Sequence, residues 1–152
     1  EVKMKEYLVY TGGAISGLTY EECVGWRIYV ASEMPPHIHI LSPMRGKENL
    51  NDGKIINGSY EQHPLCSQKG ILCRDHYDVC RAHLVLMNFL GAKKLSIGSI
   101  MEVAWAYAYR RPLITLMEED NPHNHPMVRE ASNFILIDLD EAIKLTIAIL
   151  TP

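Results

Sequence analysis

The feature that most constrains this chain is an alternation. Short apolar runs recur five times, with helical or turn-rich stretches between them. Residues 6–11 (EYLVYT) read as a strand, ended by the glycine pair Gly12-Gly13. Thr19 is placed to cap a helix, with Glu21 and Glu22 in the first turn, where the helix dipole favours anions. Cys23, Trp26, Val30 and Met34 then recur at helical spacing until Pro35-Pro36 stops the helix. Residues 37–41 (HIHIL) form a second strand, 71–82 a helix and 84–89 (LVLMNF) a continuous buried strand. Residues 99–111, rich in alanine and ended by Pro112, are the best helix; 113–117 (LITLM) are the next strand. A short helix at 127–132, a strand at 134–137 and a last helix through Leu150, capped by Asp138 or Asp140, complete the pattern.

Strands joined through helices require right-handed crossovers. The expected fold is therefore α/β: a three-layer, flavodoxin- or Rossmann-like arrangement with a five-stranded parallel sheet of order 2-1-3-4-5. Ligands of such sheets sit beyond the carboxyl ends of the strands, where strand order reverses. Three loops come into question: 12–17, 89–99 and 118–126.

At 152 residues the chain is one domain, 1–152, with enough core to need no disulfide or metal. It is too short for separate cofactor and substrate domains, so any active site uses one sheet's loops or is completed by another subunit. The polar stretch 42–69, with turn signals at Asn51-Asp52-Gly53 and Asn57-Gly58, reads as a long loop or lid. Met4 reads as the natural start, with residues 1–3 a cloning remnant. Net charge is −3 and no run of Lys or Arg exceeds two, which removes the electrostatic footprint of a duplex nucleic-acid partner. The apolar stretches fall far short of the ~20 residues of a membrane span, and no secretory leader is visible. A cytoplasmic location is expected. Cys23, Cys66, Cys73 and Cys80 contain no CxxC pair and read as free buried thiols.

Four groups of residues can carry chemistry. The loop Gly12-Gly13-Ala14-Ile15-Ser16-Gly17 either cradles a ligand against its backbone or is simply a tight strand-to-helix turn; it matches neither GxGxxG nor the P-loop. In Ser96-Ile97-Gly98-Ser99-Ile100-Met101-Glu102, a carboxylate lies in the first turn of an apolar helix. There the helix N-terminus would keep it ionised, as suits a nucleophile, unless it simply faces solvent. Asp75 and Asp78 stand one helical turn apart, either as chemical groups or as a solvated face paired with Arg74 or Arg81. His37 with His39, and His123 with His125, lack a third ligand at a familiar spacing, so no metal is expected; His123 and His125 read as lining a binding loop. Trp26 reads as core, and Arg27 as a surface charge or a carboxylate partner.

In combination these features resemble the nucleoside 2-deoxyribosyltransferase family, which includes the nucleoside 5′-monophosphate N-glycosidases. The resemblance spans about residues 10–150. It rests on Tyr10 to Gly17 (YTGGAISG, like the family's YLAGPISG), Leu41-Ser42-Pro43, Arg74-Asp75, Ser96-x-Gly98-x-x-x-Glu102 and Leu139-Asp140-Glu141-Ala142. It implies an enzyme that exchanges nucleobases on 2-deoxyribose without a cofactor. Glu102 would be the nucleophile at C1′, Asp75 would manage the proton of the leaving base, and Tyr10 would orient Glu102. Gly12, Gly13, Ser16, Asp78, Ser96 and Gly98 would line the substrate site. His125 and Met127 would be lent by a neighbouring subunit, so the protein would be a homo-oligomer with shared sites. The implied partners are a nucleoside or nucleotide and a free nucleobase. His125 departs from the family's usual amide or hydroxyl. Ala14 and Ser16 replace the serine and arginine of the monophosphate-specific branch, which favours an unphosphorylated nucleoside. Ser96, Ser99 and the basic Arg45-Gly46-Lys47 could still hold a phosphate. Two alternatives stay open: hydrolysis of a nucleoside 5′-monophosphate, and a nucleotide-binding module without turnover.

Overall fold

In the computed structural model, which describes residues 4–57 and 63–152, five strands alternate with five helices. In chain order they are β1 (Tyr7–Gly13), α1 (Tyr20–Glu33), β2 (Ile38–Leu41), α2 (Gln68–Arg81), β3 (Leu84–Asn88), α3 (Ile97–Ala108), β4 (Leu113–Leu116), α4 (Pro126–Ala131), β5 (Phe134–Leu136) and α5 (Leu139–Leu150). All four strand pairings are parallel and the order is β2-β1-β3-β4-β5, as the alternation predicts.

The two-residue period of a strand explains the layers. On β3, Leu84 and Leu86 face one way and pack with Val9, Ile114 and Leu116 against Val30 of α1 and Ala142 and Ile143 of α5. Val85 and Met87 face the other way, with Tyr10 and Leu113, against Val79 of α2, Val103 and Ala106 of α3 and Val128 of α4. Tyr10 therefore points to the α2–α3 side, which decides where the site lies. Thr19 caps α1 in a reciprocal box with Glu22, and Asp138, not Asp140, caps α5. No described helix is long and apolar enough to cross a membrane.

The stretch 42–69 differs from a free loop. Ser67 caps α2, so that helix begins at Gln68, and short 3-10 turns occupy Glu48–Leu50 and Pro64–Cys66. Gly17 N–H donates to the Ile56 carbonyl and Ile56 N–H to that of Leu18, each at 2.7 Å. Arg74 donates to the carbonyls of Arg45 (2.8 Å) and Pro43 (2.6 Å). Residues 42–57 are thus tied to the first loop on one side and to α2 on the other. The reading of residues 1–3 as a remnant, and part of the turn at Asn57-Gly58, lie outside the described residues. The thiols also divide: Cys23 and Cys66 are buried, but Cys73 is exposed and Cys80 half-buried, because α2 turns only one face to the core.

Candidate active site

Three elements bring Tyr10, Asp75 and Glu102 to one place. β1 carries Tyr10 on its α2–α3 face, α2 carries Asp75, and α3 carries Glu102. The Tyr10 hydroxyl donates to Glu102 Oε1 at 2.8 Å across 92 positions of sequence. Asp75 is 6% exposed and Glu102 8%. Asp75 Oδ1 and Glu102 Oε2 are both buried without a hydrogen-bond partner, as is Thr11 Oγ1 on the strand that carries Tyr10. Unpaired buried oxygens are costly, so two carboxyl oxygens at one spot mark a place built to receive something.

The electrostatics differ from the expectation for Glu102. α3 starts at Ile97, two residues before the predicted start, so Glu102 lies in its second turn, beyond the strongest pull of the helix end. Burial, reinforced by the neighbouring Asp75, pushes its carboxyl up to about 8, against the Tyr10 hydrogen bond and the charges of Arg27 and Lys47. Burial also raises Asp75 to about 6, while Lys47 and Arg74 pull it down. Near neutral pH the two carboxyls together hold about one proton, a property of the pair.

Gly13 is held to glycine by backbone, since its φ is +155° and a Cβ there would stand 2.7 Å from the Asn88 carbonyl oxygen; a Cβ on Gly12 would press on side-chain ends, Met87 Cε at 2.3 Å and Glu102 Oε2 at 2.8 Å. Gly12 is the floor under the nucleophile candidate.

The other site candidates differ in burial and in partners. Asp78 is fully buried but already occupied: Arg81 binds Oδ1 through Nε (2.9 Å) and Nη2 (2.8 Å), and Arg45 Nη2 lies 2.6 Å from Oδ2. Ser96 caps α3, with its hydroxyl 2.9 Å from that of Ser99. Gly98 has open space around it, and Ser16 is exposed. His125 is exposed and caps α4, where it accepts from the Met127 N–H; Met127 is 76% exposed. Arg45 is committed to Asp78 and Lys47 is buried, so that basic stretch does not form an open phosphate site.

His123 does not line a loop surface. It is fully buried, stacked on Phe89 at 3.9 Å, and its Nε2 accepts the Ser96 N–H at 2.8 Å while Nδ1 meets Asn121 Oδ1. Burial lowers its pKa, in keeping with a neutral ring. Asn121 also donates to the Phe89 carbonyl at 2.7 Å, so the two residues join the loops after β3 and β4 and fix where α3 begins. Sequence reasoning also missed Lys47 beside Asp75; the signal was a lysine six residues beyond β2, near the sheet's carboxyl edge. Arg27 is not a surface charge, and its hydrogen bonds go to main-chain carbonyls and not to a carboxylate. Among the described residues, no three His, Cys, Asp or Glu side chains gather to hold a metal ion.

Neither a protein-family model nor a curated protein matches the sequence. Solved structures do share the fold. A 2-deoxyribosyltransferase from Leishmania mexicana superposes with a TM-score of 0.65 at 12% identity, covering 93% of this chain and 97% of its own. The CMP N-glycosidase BcmB from Clostridium botulinum gives 0.53 at 15% identity, over 94% and 99%. A molybdenum cofactor binding protein from the phototrophic bacterium Rippkaea orientalis gives 0.57 at 14% identity, over 98% and 100%. The frame is one that enzymes handling N-glycosidic bonds use, and other proteins use it too. The chemistry must therefore be argued from the residues.

Proposed function

We propose that the chain is a member of the nucleoside 2-deoxyribosyltransferase family that exchanges nucleobases on 2-deoxyribose by a retaining, two-step route. The observation that carries this reading is the buried pair itself: Glu102, held by Tyr10 at 2.8 Å, with one oxygen of Glu102 and one of Asp75 left unpartnered. Two carboxyl groups with different surroundings are what glycosidic cleavage needs, one as nucleophile and one to manage the proton. Glu102 attacks C1′ as the bond to the base breaks; Asp75 delivers the proton to the departing base and later removes one from the incoming base. Gly12 lets the sugar lie close to Glu102. Lys47 keeps positive charge beside Asp75.

The active form of the pair holds a single proton, on Asp75; in the unliganded site burial favours it on Glu102, so attack by Glu102 requires its transfer to Asp75. Below about pH 6 both carboxyls are protonated, and above about pH 8 both are ionised. The expected kcat/KM profile is a bell with limbs near those values. The direct test is incubation with a deoxynucleoside and a second free base, over a panel that includes 5′-monophosphates. An exchanged nucleoside supports transfer, released base alone assigns hydrolysis, and neither product over the whole panel refutes the reading.

The shared-site arrangement is part of the same proposal. His125 and Met127 project from the start of α4, and Leu95, Ile97 and Met101 are exposed on α3 and the turn before it. These apolar groups favour a second copy docking here and closing the base pocket. Undiminished activity in a protein shown to be monomeric would refute it.

Gly12→Ala is expected to reduce turnover by about 100-fold, since a shift of about 1 Å at a nucleophile has that cost. Its stability should fall by only ~1–3 kcal/mol. Steady-state kinetics beside a thermal melt separates the two effects.

A further inference from the structure

Arg27 is 2% exposed, yet among the described residues no carboxylate touches it. Its Nε donates to the Thr11 carbonyl at 3.0 Å and its Nη2 to that of Gly13 at 3.2 Å; Nη1 donates to the Cys23 carbonyl within its own helix. The guanidinium also lies over the Trp26 ring, 4.5 Å from its centre. All its acceptors are neutral. A buried cation with only neutral partners is costly unless anions lie within reach through the low-dielectric interior. Tyr10, Cys23, Glu102 and Asp75 are the groups that act on it in this way, and of these only the carboxyl pair carries charge near neutral pH, about one negative charge between the two.

The two bonds to β1 flank Gly12. Thr11 and Gly13 are its neighbours in the chain, and Gly12 is the residue on which Glu102 rests. Arg27 therefore grips the strand end from the α1 side of the sheet, while Glu102 and Asp75 meet it from the α2–α3 side. We propose that Arg27 is a positioning residue for the carboxyl pair: it fixes the Thr11–Gly13 backbone under Glu102 and supplies the buried countercharge that lets the pair give up a proton. The catalytic part of this statement rests on the proposed function; the electrostatic part does not.

The groups facing Glu102 are Tyr10 from β1, Asp75 from α2, Lys47 from the loop after β2 and Arg27 from α1. Tyr10 stays protonated, since burial and the two carboxyls hold it well above its ordinary value. Lys47 is the second cation, and burial lowers its pKa. Among the described residues, removing Arg27 leaves Lys47 as the remaining cation that acts on Glu102.

The test is a titration of the Glu102 side-chain carboxyl by carbon-13 NMR in the unliganded protein, with Arg27→Met and Arg27→Lys beside the wild type. Glu102→Gln identifies the resonance. Arg27→Met is expected to move the midpoint upward by ~0.5–1 pH unit, and Arg27→Lys to return most of that shift because it keeps the charge. If turnover is present, both limbs of the kcat/KM profile should move upward in Arg27→Met, with kcat reduced in both variants because lysine cannot make the paired bonds to Thr11 and Gly13. A purely structural arginine would lower activity evenly at every pH and leave the Glu102 midpoint in place; that result overturns the proposal. Should Arg27→Met not fold, Arg27→Gln carries the same test: a midpoint raised by ~0.5–1 pH unit supports the charge role, and one left at the wild-type value refutes it. Absence of turnover in the wild type would count against the proposed function, and the NMR titration alone would then decide the electrostatic role of Arg27.

Discussion

Glu102→Gln is expected to abolish turnover, by about 1,000-fold or more, and at the same time to raise stability at alkaline pH. The first effect follows from losing the only nucleophile that the pair offers, since an amide cannot form the glycosyl ester. The second follows from linkage. The folded state holds the Glu102 proton up to about pH 8, whereas an unfolded chain releases it near 4.5. The stabilisation from that retained proton is full below the lower value and is lost as pH rises through the higher one. Glutamine never ionises, so the variant escapes this loss while keeping an amide oxygen for the Tyr10 hydroxyl. At about 1.4 kcal/mol per pKa unit the difference above pH 8 is on the order of 3–5 kcal/mol, an upper limit that water entering the site would reduce. Thermal melts from pH 5 to pH 9 check it. Curves for the two proteins should coincide in acid and diverge with rising pH, and parallel curves would show that Glu102 ionises freely.

The two aspartates of α2 should separate cleanly under mutation. Asp78→Ala is expected to cost ~2–4 kcal/mol of stability. The change strands Arg45 and Arg81 beside a buried space and removes one of the bonds between the long loop and α2. Both arginines are about a third exposed, so water recovers part of the loss. Asp75→Asn should leave the melting temperature near wild type or slightly above it, because Asp75 has an unpaired buried oxygen and a desolvated charge. Its cost should appear in turnover and in a lower Glu102 midpoint, since the charge that raises Glu102 is gone. Urea titration beside kinetics distinguishes them. A stable, inactive Asp78→Ala would reverse the assignment.

The contrast also shows what a sequence can disclose. The strand order and the Thr19 cap were legible, because periodicity and crossover handedness leave few ways to wind five strands, whereas the meeting of Tyr10, Asp75 and Glu102 was what the family resemblance implied. Asp75 and Asp78 could not be told apart: both sit on one face of α2, and only the loop that carries Arg45 decides which is occupied. Arg27 was hidden for a different reason. Its partners are carbonyls, which every residue has, so no pattern of side chains announces them. His123 looked like a loop residue because its burial depends on Phe89 arriving from another strand. The ionisation of Glu102 was misjudged because its burial and the nearness of Asp75 arise only when α2 and α3 pack together over β1.

The attachment of the stretch 42–57 has a consequence for how such a protein changes over generations. Arg74 holds it by the carbonyls of Pro43 and Arg45, and Gly17, Leu18 and Ile56 hold it through main-chain bonds alone. None of these contacts depends on which side chains the held residues carry.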